Sequence, residues 1–79
     1  MTPTSNEPPV LDWGRVIHKG ARTNDGAPAG NIAAEDKDYV VILGPRTKQY
    51  RIPKSLVKSF DGSEVRLSLN REELGNYRL

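Results

Sequence analysis

The sequence predicts an all-β fold, a small antiparallel barrel or open sheet. Three observations carry this. Short runs of alternating or β-branched residues recur at a spacing of about ten residues. Glycine-containing turns separate them, at Asn24-Asp25-Gly26, Gly44-Pro45 and Asp61-Gly62. The one helix-start signal, Asn70 with Glu73 three positions on, opens a segment of only about one turn.

Residues 1–12 read as a flexible N-terminal tail and residues 13–79 as the folded domain. Three of the six prolines fall in the first nine positions, among Thr, Ser, Asn and Glu. Such a segment has too little apolar surface to offset the entropy of ordering it. Its functional reading is a Pro-containing docking peptide; its plainer reading is a mobile terminus. Val10, Leu11 and Trp13 are the first bulky apolar residues and are placed to pin the tail to the domain edge.

Arg15-Val16-Ile17-His18 is a β-compatible run that Gly20 ends. Asp25-Gly26 is a strong hairpin signal, because both central residues of a type I′ turn need positive φ. A weak strand follows over 31–34, then the charged turn Glu35-Asp36-Lys37-Asp38. Tyr39-Val40-Val41-Ile42-Leu43 is the best strand of the chain. Having no polar face, it predicts burial on both sides, or burial of one side in a partner. Gln49 to Pro53 alternates, with Tyr50 and Ile52 on one face, and Pro53 ends it or marks an edge. Residues 55–60 suit either a turn of helix or a strand. Glu64 to Leu69 alternates cleanly, with Val65, Leu67 and Leu69 inward. The predicted core is Val16, Ile32, Val40, Ile42, Ile52, Val65, Leu67 and Leu69. Gly26 and Gly62 are expected at positive φ.

Composition narrows the function. The 79 residues hold one small domain with little room for a closed pocket. No acid–base or nucleophile pair can be named, so the chain reads as no enzyme, with no small-molecule substrate and no cofactor. There is no cysteine and one histidine, His18. A thiolate or imidazole metal site therefore lacks ligands. Glu35, Asp36 and Asp38 cluster, but without the ligand spacing of a calcium loop, so they read as a solvated turn. No phosphate-cradling glycine loop occurs. No apolar run reaches the length of a membrane span, and the opening residues lack the charge and apolar stretch of a signal peptide, so a cytoplasmic location is expected.

One charge feature rises above background. Arg46, Lys48, Arg51, Lys54 and Lys58 follow one another with no acid between them, although the formal net charge is only +2. They are the candidate contact for RNA or an acidic partner, with Tyr50 as a stacking residue. The plainer reading is a solvated loop and edge strand, where Lys and Arg discourage sheet-to-sheet aggregation.

The turn and strand chemistry from about residue 14 to 74 resembles a PRC-barrel domain. The resemblance lies in Asn24-Asp25-Gly26-Ala27-Pro28-Ala29-Gly30-Asn31-Ile32, in Asp38-Tyr39-Val40-Val41-Ile42, and most closely in Tyr50-Arg51-Ile52-Pro53-Lys54-Ser55-Leu56-Val57 followed by Asp61-Gly62-Ser63-Glu64-Val65-Arg66-Leu67. Glu72-Glu73-Leu74 fits as well. The resemblance implies a β-barrel of about six strands with a short C-terminal helical turn, and it brings no catalytic residue. Neither the membrane helix nor the second barrel of some members is legible here. The free-standing archaeal members, some linked to cell division, are therefore the nearest type.

The leading functional expectation is a protein-interaction or adaptor module that self-associates as a homodimer. The resemblance implies archaeal cell-division machinery as its partner. Tyr39, Val41 and Leu43 are the candidate self-association residues. They lie opposite Val40 and Ile42, and only one of these sets fits a single core. The alternative is an RNA- or ribosome-associated module, in RNA processing or ribosome maturation, that uses residues 46–58.

Overall fold

The computed structural model describes residues 12–79. The tail expected over 1–12, with Val10 and Leu11 pinning it, lies outside the described residues apart from Asp12. Six strands form one sheet: β1 (Gly20–Arg22), β2 (Pro28–Glu35), β3 (Tyr39–Leu43), β4 (Gln49–Pro53), β5 (Val57–Phe60) and β6 (Glu64–Leu67). Their order is β4-β3-β2-β1-β6-β5. The fold is mostly β, as expected.

The sheet is mixed rather than antiparallel throughout, because β6 runs parallel to β1 with Ala21 opposite Val65. Strands β1 to β4 form a meander of hairpins. The β5–β6 hairpin then returns to the far side of β1. A parallel neighbour needs a long connection, and the meander between β1 and β6 supplies it.

Only Lys54–Leu56 separates β4 from β5, although these strands stand at opposite ends of the sheet. Pro53 and Val57 are at most about 14 Å apart along the chain. Five spacings across a flat sheet would separate them by about 24 Å. The sheet is therefore rolled. Among the described residues no ladder joins β4 to β5, so the expected closed barrel is instead an open, rolled sheet.

The roll encloses the core. All eight predicted core residues are buried, joined by Ala21, Ala29 and Leu74. Trp13, Ile17, Tyr50, Leu56, Val57, Phe60 and Tyr77, partly buried, pack against them. Burial along β3 alternates, with Val40 and Ile42 inside and Tyr39, Val41 and Leu43 on the other face.

The expected strand at Arg15–His18 is a correction. Trp13–Val16 is a 3-10 turn capped by Asp12, whose carboxylate accepts the Gly14 N–H at 3.0 Å. His18 has φ +69, which breaks an extended run, and the strand begins only at Gly20. Val16 reaches the core from the turn instead. Residues 54–60 supply both of the weighed alternatives, a 3-10 turn and then β5.

Gly26 and Gly62 have φ +86 and +97, as expected. The first turn is nevertheless not type I′, since Asn24 and Asp25 keep negative φ. The Gly26 N–H bonds the Thr23 carbonyl at 2.9 Å, and the glycine follows the turn as its left-handed residue. The C-terminal helical segment runs over Arg71–Tyr77, longer than the single turn expected, and passes through Gly75. Glu73 closes its start by accepting the Asn70 N–H at 2.9 Å.

Candidate interaction surface

The outer face of β3 carries the three side chains singled out for self-association. Tyr39 and Val41 are half-buried and Leu43 is 44% exposed. None of the three belongs to the core cluster or packs against it. Register places Pro53 opposite Tyr39, Arg51 opposite Val41 and Gln49 opposite Leu43 on β4. On β2, Ala34 stands opposite Val41 and Asn31 opposite Leu43. Cross-strand partners share a face. The outer face is thus a strip of Tyr39, Val41, Leu43, Ala34 and Pro53, bordered by Gln49, Asn31 and Arg51.

The charges beside the strip are paired. The Arg51 guanidinium lies 4.0 Å from the centroid of the Tyr39 ring, with one nitrogen 3.8 Å from an Asp36 carboxylate oxygen. The other Asp36 oxygen accepts the N–H groups of Asp38 and Tyr39 at 2.9 and 2.8 Å, closing the β2–β3 turn. These N–H groups, with Arg51 and Lys54 adding attraction, hold the Asp36 carboxyl below its ordinary value of 3.8. The Lys54 ammonium donates to Glu35 at 2.6 Å and sits 4.7 Å from the centre of the Trp13 ring. Trp13 packs against the core cluster.

The five cations of the basic stretch are spread over the β3–β4 loop, β4, the turn that follows it and β5. Arg51 and Lys54 are engaged by Asp36 and Glu35. Arg46 and Lys48 lie in the β3–β4 loop, while Lys58 is exposed on β5, which the turn Lys54–Leu56 joins to β4. Tyr50, the candidate stacking residue, packs against the core. Glu35 and Asp36 form ion pairs, and Asp38 is exposed in the turn. His18 is exposed in a turn. Among the described residues no three His, Asp or Glu side chains converge on a metal position.

The structure adds two residues that sequence reading missed. Arg78 pairs with Tyr50 as an antiparallel bridge, and the Leu79 N–H bonds the Gln49 carbonyl at 2.8 Å. The chain therefore returns to the outer edge of β4, setting Leu79 opposite Gln49 and one strand out from Leu43. Leu43 and Leu79 are the exposed large hydrophobic residues of the described chain, at 44% and 67%. Two residues make no periodic pattern, so nothing local marks this pairing.

No family model matches the chain, and no match is found among the curated proteins or the solved structures. The resemblance to PRC-barrel domains rests on the quoted residues alone.

Proposed function

We propose that the chain is a non-enzymatic protein-interaction module that self-associates through the outer face of β3. One observation carries this reading: Tyr39, Val41 and Leu43 stand on the face of β3 away from the core, with Leu43 44% exposed. A contiguous apolar strip is unusual on a small monomer. A second copy is the occupant that suits it best. Arg51 has an Asp36 carboxylate oxygen 3.8 Å away, so the cation beside each strip comes with a compensating anion. A two-fold contact sets the same patch against itself.

The resemblance to free-standing PRC-barrel proteins suggests an adaptor role, with cell-division machinery as the further partner, and a cytoplasmic location goes with that reading. Among the described residues no helix is long and apolar enough to cross a membrane. The RNA- or ribosome-associated reading draws on the basic stretch 46–58 and has less support, since Arg51 and Lys54 already have carboxylate partners.

Light scattering tests the proposal. Wild type should give the mass of a dimer at high micromolar concentration. Val41→Lys would bury an unpaired charge in the interface and should give a monomer with an unchanged sheet signal. A monomeric wild type would defeat the proposal.

A further inference from the structure

The roll of the sheet has a seam, where β4 and β5 end the strand order without a ladder between them. Among the described residues β5 has a ladder partner on one side only, β6. The β4 edge is engaged elsewhere, by the Tyr50–Arg78 bridge and by the Leu79 N–H on the Gln49 carbonyl. Apolar side chains border β5. Leu56, Val57 and Phe60 pack against the core and are only half-buried. An edge strand beside apolar side chains is where natural folds add cover.

The chain enters the domain at this seam. Lys54 opens the turn that joins β4 to β5, and its ammonium sits 4.7 Å from the centre of the Trp13 ring. Trp13 begins the 3-10 turn that Asp12 caps. Whatever precedes Asp12 is therefore tethered beside the start of β5. Residues 6–11, fully extended, reach about 20 Å. The four residues of β5 span about 13 Å.

We infer that residues 6–11 lie along the outer edge of β5, antiparallel to it, and cover the seam of the roll. The tether sets the direction: followed back from Leu11, the segment meets Val57 first and Phe60 last. Val10 and Leu11 alternate, so one covers the half-buried apolar side chains while the other faces out. Pro8 and Pro9 suit the outermost position. They lack the N–H that a further strand would need, and proline within sheets is confined to edges. A second copy fits this edge less well, because a segment on a short tether competes at an effective concentration on the order of millimolar. Covering β5 also confines self-association to the β3 face, where two copies close a two-fold pair instead of adding sheet to sheet.

The test is a single nitroxide label, which the chain accepts cleanly because it has no cysteine. With the label on Asn6→Cys, the amide signals of Val57–Phe60 should lose most of their intensity, and more than those of Tyr39–Leu43. Val10→Asp with Leu11→Asp, added to the labelled chain, should restore the β5 signals and speed hydrogen exchange over β5 while the sheet signal in circular dichroism is kept. Mixing labelled chain with isotope-enriched, label-free chain separates contacts within one copy from contacts between copies. Broadening centred on another strand, weak broadening spread evenly over the domain, or broadening between copies only would overturn the inference. Self-association is read separately, from mass, so either proposal can fail without the other.

Discussion

The Arg51 guanidinium lies 4.0 Å from the centroid of the Tyr39 ring and joins β4 to β3 on the outer face of the sheet. The contact is diagonal, because the register partner of Tyr39 is Pro53 and that of Arg51 is Val41. Arg51 thus shields the aromatic end of the strip and leaves Leu43, at the other end, as its exposed part. An exposed cation–π contact contributes about 0.5–1 kcal/mol. Arg51→Ala should lower stability by about that amount in urea titration. It should also strengthen self-association in light scattering, since more of Tyr39 becomes available. A weaker dimer would place Arg51 inside the interface instead.

Three glycines at positive φ should respond unequally to alanine. Gly26 and Gly62 face open space, so alanine there meets only backbone strain, about 1–2 kcal/mol. At Gly30, with φ +135, a Cβ would collide with the Leu43 carbonyl oxygen and stand 2.8 Å from the Gly44 Cα. Gly30→Ala should therefore be clearly the most destabilising of the three in thermal melts. Equal losses would mean that β2 and β3 approach less closely than described.

The β3–β4 loop should accept a stabilising change. Arg46→Asn with Thr47→Gly restores residues suited to two successive positive φ values. Relief of strain should raise stability by about 1–2 kcal/mol in denaturant titration. A destabilised variant would show that the loop does not hold this conformation.

Acid sensitivity follows from three aspartates that close turns. Asp61 accepts the Ser63 and Glu64 N–H groups at 2.8 Å each, which lowers its carboxyl below the ordinary 3.8. Asp25 is lowered first by the Thr23 hydroxyl and further by the Arg71 N–H, and Asp36 by the N–H groups of its own turn. A carboxyl lowered in the folded state contributes stability above its unfolded value, and that contribution is lost as pH falls through the folded value. Stability should therefore fall as pH drops below about 4. Asp61→Asn keeps an acceptor for the turn but cannot titrate, so its stability should fall less steeply over that range. An unchanged slope in urea titrations at stepped pH would contradict this.

Much of the β architecture was legible because it is local. Alternation in Tyr39 to Leu43 and in Glu64 to Leu69 named both faces and the buried residues, since period-two geometry acts within one strand. Asp25-Gly26 and Asp61-Gly62 located the turns, because positive φ favours glycine wherever it occurs. The Asn70–Glu73 spacing located the start of the C-terminal helical segment for the same kind of reason.

Other features do not follow from side-chain alternation, and most of them were settled by residues far apart in the chain. Val16 carries a β-favouring side chain, yet Asp12 and the positive φ of His18 bend its segment into a 3-10 turn. The parallel contact of β1 with β6 joins Ala21 to Val65, and the edge contact of β4 joins Tyr50 to Arg78. Lys54 finds Glu35 and Arg51 finds Asp36, and so two charges of a basic run that looks continuous along the chain are paired. The amino-acid sequence alone determined which residues prefer a strand, a turn or the core, because those preferences follow from backbone sterics and side-chain alternation over a few positions. Tertiary structure decided which strands meet, which charges are neutralised and which apolar residues stay open, because those depend on chain closure over tens of residues and leave no short-range pattern to read.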